Sequence, residues 1–239
     1  MALPLAEENS TLEVVGRLES EPYVDMTLQV LKDAGIAIRK DGAKYVIPGG
    51  QKYILSDDHL VEGDWSNAAF WFAVNPFTGG KISVEGLDKK SIQGDKEIEE
   101  IVSEMYLASD EKRMTIDVSN IPDLVPAIAV AAAGSDKEVD IINAQRLRLK
   151  ESDRINSVIE TINQLGGRAW DTDTGLAIRG CNFAQGGRLL GGRVDSFGDH
   201  RIAMMATCLS AICRENVTVL NPEVVTKSYP TFFDDFEKL

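Results

Sequence analysis

Histidine is scarce in this 239-residue chain, which has only His59 and His200. Cysteine is hardly more abundant: Cys181, Cys208 and Cys213 are an odd number and show no metal-pair spacing. The two shortages argue against a zinc centre and against a disulfide framework. Free thiols, with no secretory leader, lead us to expect a cytoplasmic protein. No apolar run approaches the roughly 18 residues that a membrane helix needs, so no membrane association is expected. Cations are also short, at 25 lysines and arginines against 38 acidic residues, for a net charge of -13. That balance argues against a general nucleic-acid binder, which presents a basic face. It leaves room for a small anionic ligand, because a few local cations can dominate a cleft. A Gly-rich dinucleotide fingerprint is missing too.

What is present is an ordinary globular composition, 44% hydrophobic and 26% charged, in a chain long enough for one large domain or two small ones. The opening Met1-Ala2-Leu3-Pro4-Leu5-Ala6 reads like the tail of a helix entering a loop, as though the chain began in mid-fold. Residues 11–16 alternate like a strand, and 22–34 read as a helix with Val24, Leu28 and Leu31 on one face and Gly35 as its stop. Residues 36–39 and 44–47 then form a hairpin around Asp41-Gly42. Farther on, strands are expected at 59–62, 81–86, 114–118, 139–142 and 217–220, with a hairpin over 168–179. Helices are expected at 65–74, 95–107, 124–133, 153–165, 199–213 and 232–239. The helix 124–133 is apolar on nearly every side and should be buried. Helix, glycine and hairpin follow one another twice, at 31–38 and at 164–170. This suggests αβ units repeating at about 70 residues. The architecture reads as α+β, with helices packed on mixed sheets. A boundary is expected near Val61-Glu62-Gly63-Asp64, giving domains 1–60 and 61–239.

Three clusters place a cation beside an acid or hydroxyl at a helix edge: Lys150-Glu151-Ser152-Asp153-Arg154, Asp199-His200-Arg201 and Thr226-Lys227-Ser228. Helix starts receive anions through free N–H groups and the positive dipole end. Arg154 can grip a carboxylate or phosphate with two parallel bonds, and Glu151 can hold or move a proton. The plainer reading of that stretch is a capped helix start with a surface Glu–Arg pair of little energetic weight. Arg201 opposes its helix dipole, which an anion would explain; pairing with Asp199 or Asp195 would explain it equally. Asp123 stands at the mouth of the apolar helix, either as an N-cap or as a carboxylate base tuned by burial and nearby cations. Lys227 reads as an anion ligand, a proton donor or a solvated lysine. Ser20 is a candidate N-cap whose hydroxyl, with the Tyr23 phenol, could also hold a ligand.

Taken in order, Ser20-Glu21-Pro22-Tyr23, Ile121-Pro122-Asp123, Leu149-Lys150-Glu151-Ser152-Asp153-Arg154, Gly198-Asp199-His200-Arg201-Ile202-Ala203-Met204 and Lys227-Ser228-Tyr229-Pro230 closely resemble the C-terminal part of the EPSP synthase family. Val61-Glu62-Gly63-Asp64 and Gln93-Gly94-Asp95 fit as well. Each motif alone is weak; five in order are specific. The resemblance implies a two-domain fold, each domain an inverse α/β barrel of three βαβαββ repeats. It implies transfer of the enolpyruvyl group of phosphoenolpyruvate to the 5-hydroxyl of shikimate 3-phosphate, with phosphate released, in aromatic amino-acid biosynthesis. No cofactor and no metal are implied, and glyphosate would compete for the phosphoenolpyruvate site.

By motif, the resemblance gives Asp123 the proton of the attacking hydroxyl. It gives Glu151, with Lys227, proton transfer at the enolpyruvyl carbon. Arg154, Arg201 and Lys227 would clamp phosphoenolpyruvate, while Ser20, Tyr23 and Lys150 would touch shikimate 3-phosphate. The sister UDP-N-acetylglucosamine enolpyruvyl transferases share fold and donor, but the acceptor-side motifs at Ser20 and Lys150 favour shikimate 3-phosphate. The departures are as informative. The family's Lys-Ser-x-Ser-x-Arg segment, its Asn-x-Gly-Thr loop and its Ser-Ser-Gln run have no counterpart here. Glu21 replaces a common lysine and Arg146 an occasional asparagine. Residues 1–60 would then be the last repeat of the shikimate-phosphate domain, and 61–239 most of the other. The expectation is a chain inactive or very weak alone, self-associating or pairing with a separate N-terminal half, or else a non-catalytic fragment that binds phosphoenolpyruvate.

Overall fold

The computed structural model describes residues 1–107 and 111–239. Its contacts divide the chain into two units, one of residues 1–63 with 88–94, the other of residues 64–87 with 95–239. The return of 88–94 to the first unit is not visible in the linear pattern.

The first unit is a helix and a three-stranded antiparallel sheet. Strand β1 (Ser10–Glu13) pairs with β3 (Lys44–Ile47), which also pairs with β2 (Arg39–Asp41). Helix α1 (Glu21–Asp33) has Pro22 in its first turn, where the missing N–H is no loss, and ends at Gly35, whose φ of 77° closes the last turn. Leu31, Ala34, Ile36, Tyr45 and Ile47 are its buried apolar residues. The hairpin lies where the sequence suggests, but β2 starts at Arg39 rather than Ile36, because Ile36 is drawn into the core under the helix end.

The second unit contains an uninterrupted β-α-β-α-β-β run, the repeat implied by the family resemblance. Strand β4 (Arg113–Asp117) leads through α4 (Val125–Gly134) to β5 (Glu138–Ile142), then through α5 (Arg154–Gln164) to the hairpin β6 (Arg168–Thr172) and β7 (Gly175–Arg179). The sheet order is β4-β5-β7-β6, with β4 and β5 parallel and the other pairs antiparallel. A parallel pair needs a crossover, and α4 supplies it. All ten residues of α4 are buried, in keeping with a sequence apolar all round. It packs against α2 (Trp65–Val74), α3 (Ile98–Tyr106) and α6 (His200–Leu209). Gly175 opens β7 because a Cβ there would lie 2.2 Å from the Ile141 carbonyl oxygen. Strands β8 (Gly192–Asp195) and β9 (Val217–Leu220) form a separate parallel pair, and α7 (Phe232–Phe236) ends the chain's regular structure.

Three expectations are corrected. Residues 59–62 are not a strand: they have no ladder partner among the described residues, and Leu60 and Val61 are 88% and 83% exposed. Residues 81–86 keep a strand-like alternation, with Ile82 and Val84 packed on the core, but likewise join no ladder among the described residues. The helix beginning at His200 stops at Leu209 and tightens to a 3-10 turn, Ser210–Ile212, before Cys213. Strand β8 was not anticipated, since its one glycine and single valine carry too little pattern over four residues. No described helix is long and apolar enough to cross a membrane.

Candidate active site

Arg154 organises the site. It is the first residue of α5, directly after Asp153, whose side chain accepts from the Asn156 N–H and caps the helix. The Arg154 side chain is 1% exposed and its guanidinium is shared by three carboxylates. Nε donates to Asp199 at 2.8 Å, one terminal nitrogen to Asp123 at 3.0 Å and the other to Glu151 at 2.7 Å. The capped helix start is therefore present, but the surface Glu–Arg pair is not: burial makes this a high-stakes ionic cluster.

Asp199 is fully buried and caps α6 through the Arg201 N–H. Its other oxygen takes Arg154 and the Ser152 hydroxyl. The expected pairing of Arg201 with Asp199 or Asp195 is corrected. Its guanidinium turns to Asp123, donating to the carbonyl oxygen at 3.2 Å with the carboxylate 3.6 Å away. Lys150 approaches the same carboxylate at 3.1 Å. Asp123 is not the N-cap of α4 either, since Leu124 holds that position. Burial pushes the Asp123 carboxyl up, but Arg201, Lys150 and Arg154 together outweigh it and hold the group below the usual carboxylate range.

Lys227, in the 3-10 turn Pro222–Lys227, donates to Glu151 at 2.5 Å. That bond is the main reason the Glu151 carboxyl is held down to about 2; burial opposes it, and the loop's own N–H group and Arg154 add to it. Four cations (Lys150, Arg154, Arg201, Lys227) thus meet three carboxylates (Asp123, Glu151, Asp199) in one patch of an acidic chain. His200 stands among them, its imidazole pushed below the ordinary histidine range first by burial and then by Arg201. Its Nδ1 has no hydrogen-bond partner among the described residues, and Asp199 is 3.8 Å away.

The structure therefore brings six of the sequence-predicted residues together: Asp123, Lys150, Glu151, Arg154, Arg201 and Lys227. Ser20 and Tyr23 belong to the first unit. Ser20 holds the N-cap position of α1, as the sequence suggests, with φ 57° and no side-chain capping bond. Sequence reasoning missed Asp199 as the buried partner of Arg154. It also missed Asn67, which donates both to the α2 cap Asp64 at 2.7 Å and to the Ser228 carbonyl at 3.2 Å, tying the Lys227 turn to α2. A polar side chain three positions after the Asp64 helix-start signal was the only available hint of it.

An anion entering this patch would meet cations already paired with carboxylates. It would compete for Lys150, Arg201 and Lys227, which are exposed to differing degrees, and each carboxylate losing a cation would become more basic. The arrangement can thus couple anion binding to proton transfer.

The EPSP synthase (3-phosphoshikimate 1-carboxyvinyltransferase) family profile matches residues 1–236. The chain is 40% identical over 249 aligned residues to a 3-phosphoshikimate 1-carboxyvinyltransferase of Clostridium acetobutylicum, covering 100% of this chain and 56% of that protein. It is 38% identical to one from Clostridium perfringens, covering 99% and 58%. Among solved structures it is similar to EPSP synthase from Acinetobacter baumannii, with a TM-score of 0.77 and 23% identity over 99% of this chain and 58% of that one. It is also similar to the enolpyruvyl transferase NikO from Streptomyces tendae, with a TM-score of 0.60 and 16% identity over 99% and 56%. These two likenesses concern the fold. The chain spans a little over half the length of the curated relatives it matches.

Proposed function

The chain belongs to the EPSP synthase family, and on that premise we propose that it carries the proton-handling face of an enolpyruvyl transferase. In the proposed reaction the 5-hydroxyl of shikimate 3-phosphate attacks C2 of phosphoenolpyruvate and gives its proton to Asp123. The Lys227 ammonium protonates C3. Loss of phosphate and return of a C3 proton to Glu151 then restore the double bond on the product. Arg201 and Lys227 would hold the phosphoenolpyruvate anion. Arg154 would join them only by yielding a carboxylate or offering its remaining N–H groups. Lys150 would contact shikimate 3-phosphate.

The observation that carries this reading is the Asp123 carboxylate set among Lys150, Arg154 and Arg201. Two anionic substrates require converging cations, and charge developing in the transition state requires partners already in place. Because the chain spans little over half its relatives' length, we propose that turnover needs the rest of the family length.

The test is phosphate release from phosphoenolpyruvate and shikimate 3-phosphate, by the chain alone and mixed with the first part of a full-length relative, with Asp123→Asn as control. Turnover in the mixture, lost in the control, is expected. Phosphoenolpyruvate binding without turnover in an assembled mixture would instead support the non-catalytic reading.

A further inference from the structure

Arg148 lies outside every role given so far. It sits in the 3-10 turn Gln145–Leu149, and its guanidinium makes two sets of bonds. One terminal nitrogen donates to both carboxylate oxygens of Asp171 on β6, at 2.6 and 2.8 Å. The other donates to Asp153 at 3.2 Å and to the Asn156 side-chain oxygen at 3.3 Å. Asp153 is the cap of α5 and also accepts from the Asn156 side-chain amide at 2.8 Å. The guanidinium therefore joins three elements: the turn it belongs to, the start of α5 and the β6–β7 hairpin.

The pair Arg148–Asp153 closes the base of a short loop. The four residues between them are Leu149, which is 87% exposed, and Lys150, Glu151 and Ser152. Each of the last three sends its side chain to the candidate site: Lys150 to Asp123, Glu151 to Arg154 and Lys227, Ser152 to Asp199. Arg154 follows the loop directly. A loop this short, pinned at both ends, has few conformations to choose from. Without the pin it would have several, and its three polar side chains would no longer share one orientation.

We propose that Arg148 is a positioning residue: by clasping Asp153 to Asp171 it holds the loop 149–152 in the one conformation that turns Lys150, Glu151 and Ser152 onto the site. The three partners are partly exposed, at 34%, 36% and 54% of their side chains. Such pairs add little to global stability, so the effect of the clasp falls on local geometry instead. A lysine would not replace it, because an ammonium is a point charge and cannot present a planar fork to two separate acids. The functional meaning of the clasp rests on the transferase reading above, but its existence does not.

The test uses the chain without substrate. Hydrogen exchange is followed at the amides of residues 149–157, and the Glu151 carboxyl is titrated by its 13C shift, in wild type, Arg148→Gln, Arg148→Lys and Asp171→Asn. Glu151 is a suitable reporter because Lys227 and Arg154 face it only when the loop is in place. In Arg148→Gln, exchange over 149–152 should accelerate by about tenfold or more and the Glu151 midpoint should rise. Arg148→Lys should recover neither fully. Asp171→Asn, which leaves the Arg148–Asp153 pair intact at an exposed position, should shift both readouts in the same direction by less. Unchanged exchange and an unchanged Glu151 midpoint in Arg148→Gln would overturn the proposal, even if the melting temperature fell. Should Arg148→Gln fail to fold, Asp171→Asn decides by the same criteria. Phosphoenolpyruvate affinity, measured separately, tests the transferase reading: a loosened loop with no wild-type binding would sink that reading and leave the clasp standing.

Discussion

Lys227 and Glu151 are 76 positions apart in sequence, yet the lysine Nζ lies 2.5 Å from a glutamate oxygen whose other carboxylate oxygen is already held by Arg154. The pair joins the last 3-10 turn of the chain to the loop that precedes α5.

Lys227→Met should therefore raise the Glu151 midpoint from about 2 toward the ordinary 4.5, only part of the way because Arg154 remains. The sign for stability follows. A carboxyl lowered in the folded state stabilises above its ordinary value, and that contribution is lost as pH falls from about 4.5 toward 2. Acid unfolding of the variant should be less steep in that window than that of the wild type, as read by circular dichroism against pH.

Arg154→Met leaves Asp199 fully buried with no guanidinium beside it. Breaking one partner of a buried cluster typically costs about 3–5 kcal/mol. Urea unfolding should show a loss of that size, and adding Asp199→Asn should recover part of it. An additive double mutant would show that the two residues are not coupled.

Asp123→Asn removes a negative charge from among Lys150, Arg154 and Arg201 without changing shape. Under the proposed function, turnover should fall by about a hundredfold or more, the usual weight of a general base. Phosphoenolpyruvate should bind no more weakly, because the cations lose a competitor. Calorimetry and phosphate release read the two effects separately; weakened binding with turnover retained would count against Asp123 as the base.

Gly175→Ala would put a methyl group 2.2 Å from the Ile141 carbonyl. Both strands are held, β7 by its ladder to β5 and the hairpin end by the Ala144 N–H to the Thr174 oxygen at 2.8 Å. Destabilisation by about 1–3 kcal/mol is expected, the range for overpacking a tight interior, measured by thermal unfolding.

Strong local patterns were legible in the chain. Residues 65–74 and 217–220 have the ends the sequence implies, because an Asp64 cap, an Asn75-Pro76 stop and a run of β-branched residues act within a few positions. The burial of α4 follows from its composition alone. Residues 59–62 and 81–86 failed as strands for the opposite reason. Alternating side chains establish an extended preference, but a ladder needs a second strand, and which segments become neighbours is a long-range matter.

The candidate site divides along the same line. Helix-start signals and the mixture of cations with acids were readable at Lys150 to Arg154, at Asp199 to Arg201 and at Lys227, and the family motifs were readable in their order. Which acid neutralises which cation was not. Local spacing offered Arg201 an anion or a pairing with Asp199 or Asp195, and offered Asp123 a cap or a base. The fold instead buries Asp199 against Arg154 and turns Arg201 to Asp123, 78 positions away. Sequence alone determined the helices, the hairpins and the residue types that handle anions, because these depend on neighbours within one or two turns. Only the tertiary structure decided the pairing, the burial and the basicity of Asp123 and Glu151, because Coulomb energy depends on distance and solvent exclusion, which are set when α4, α5 and α6 pack together.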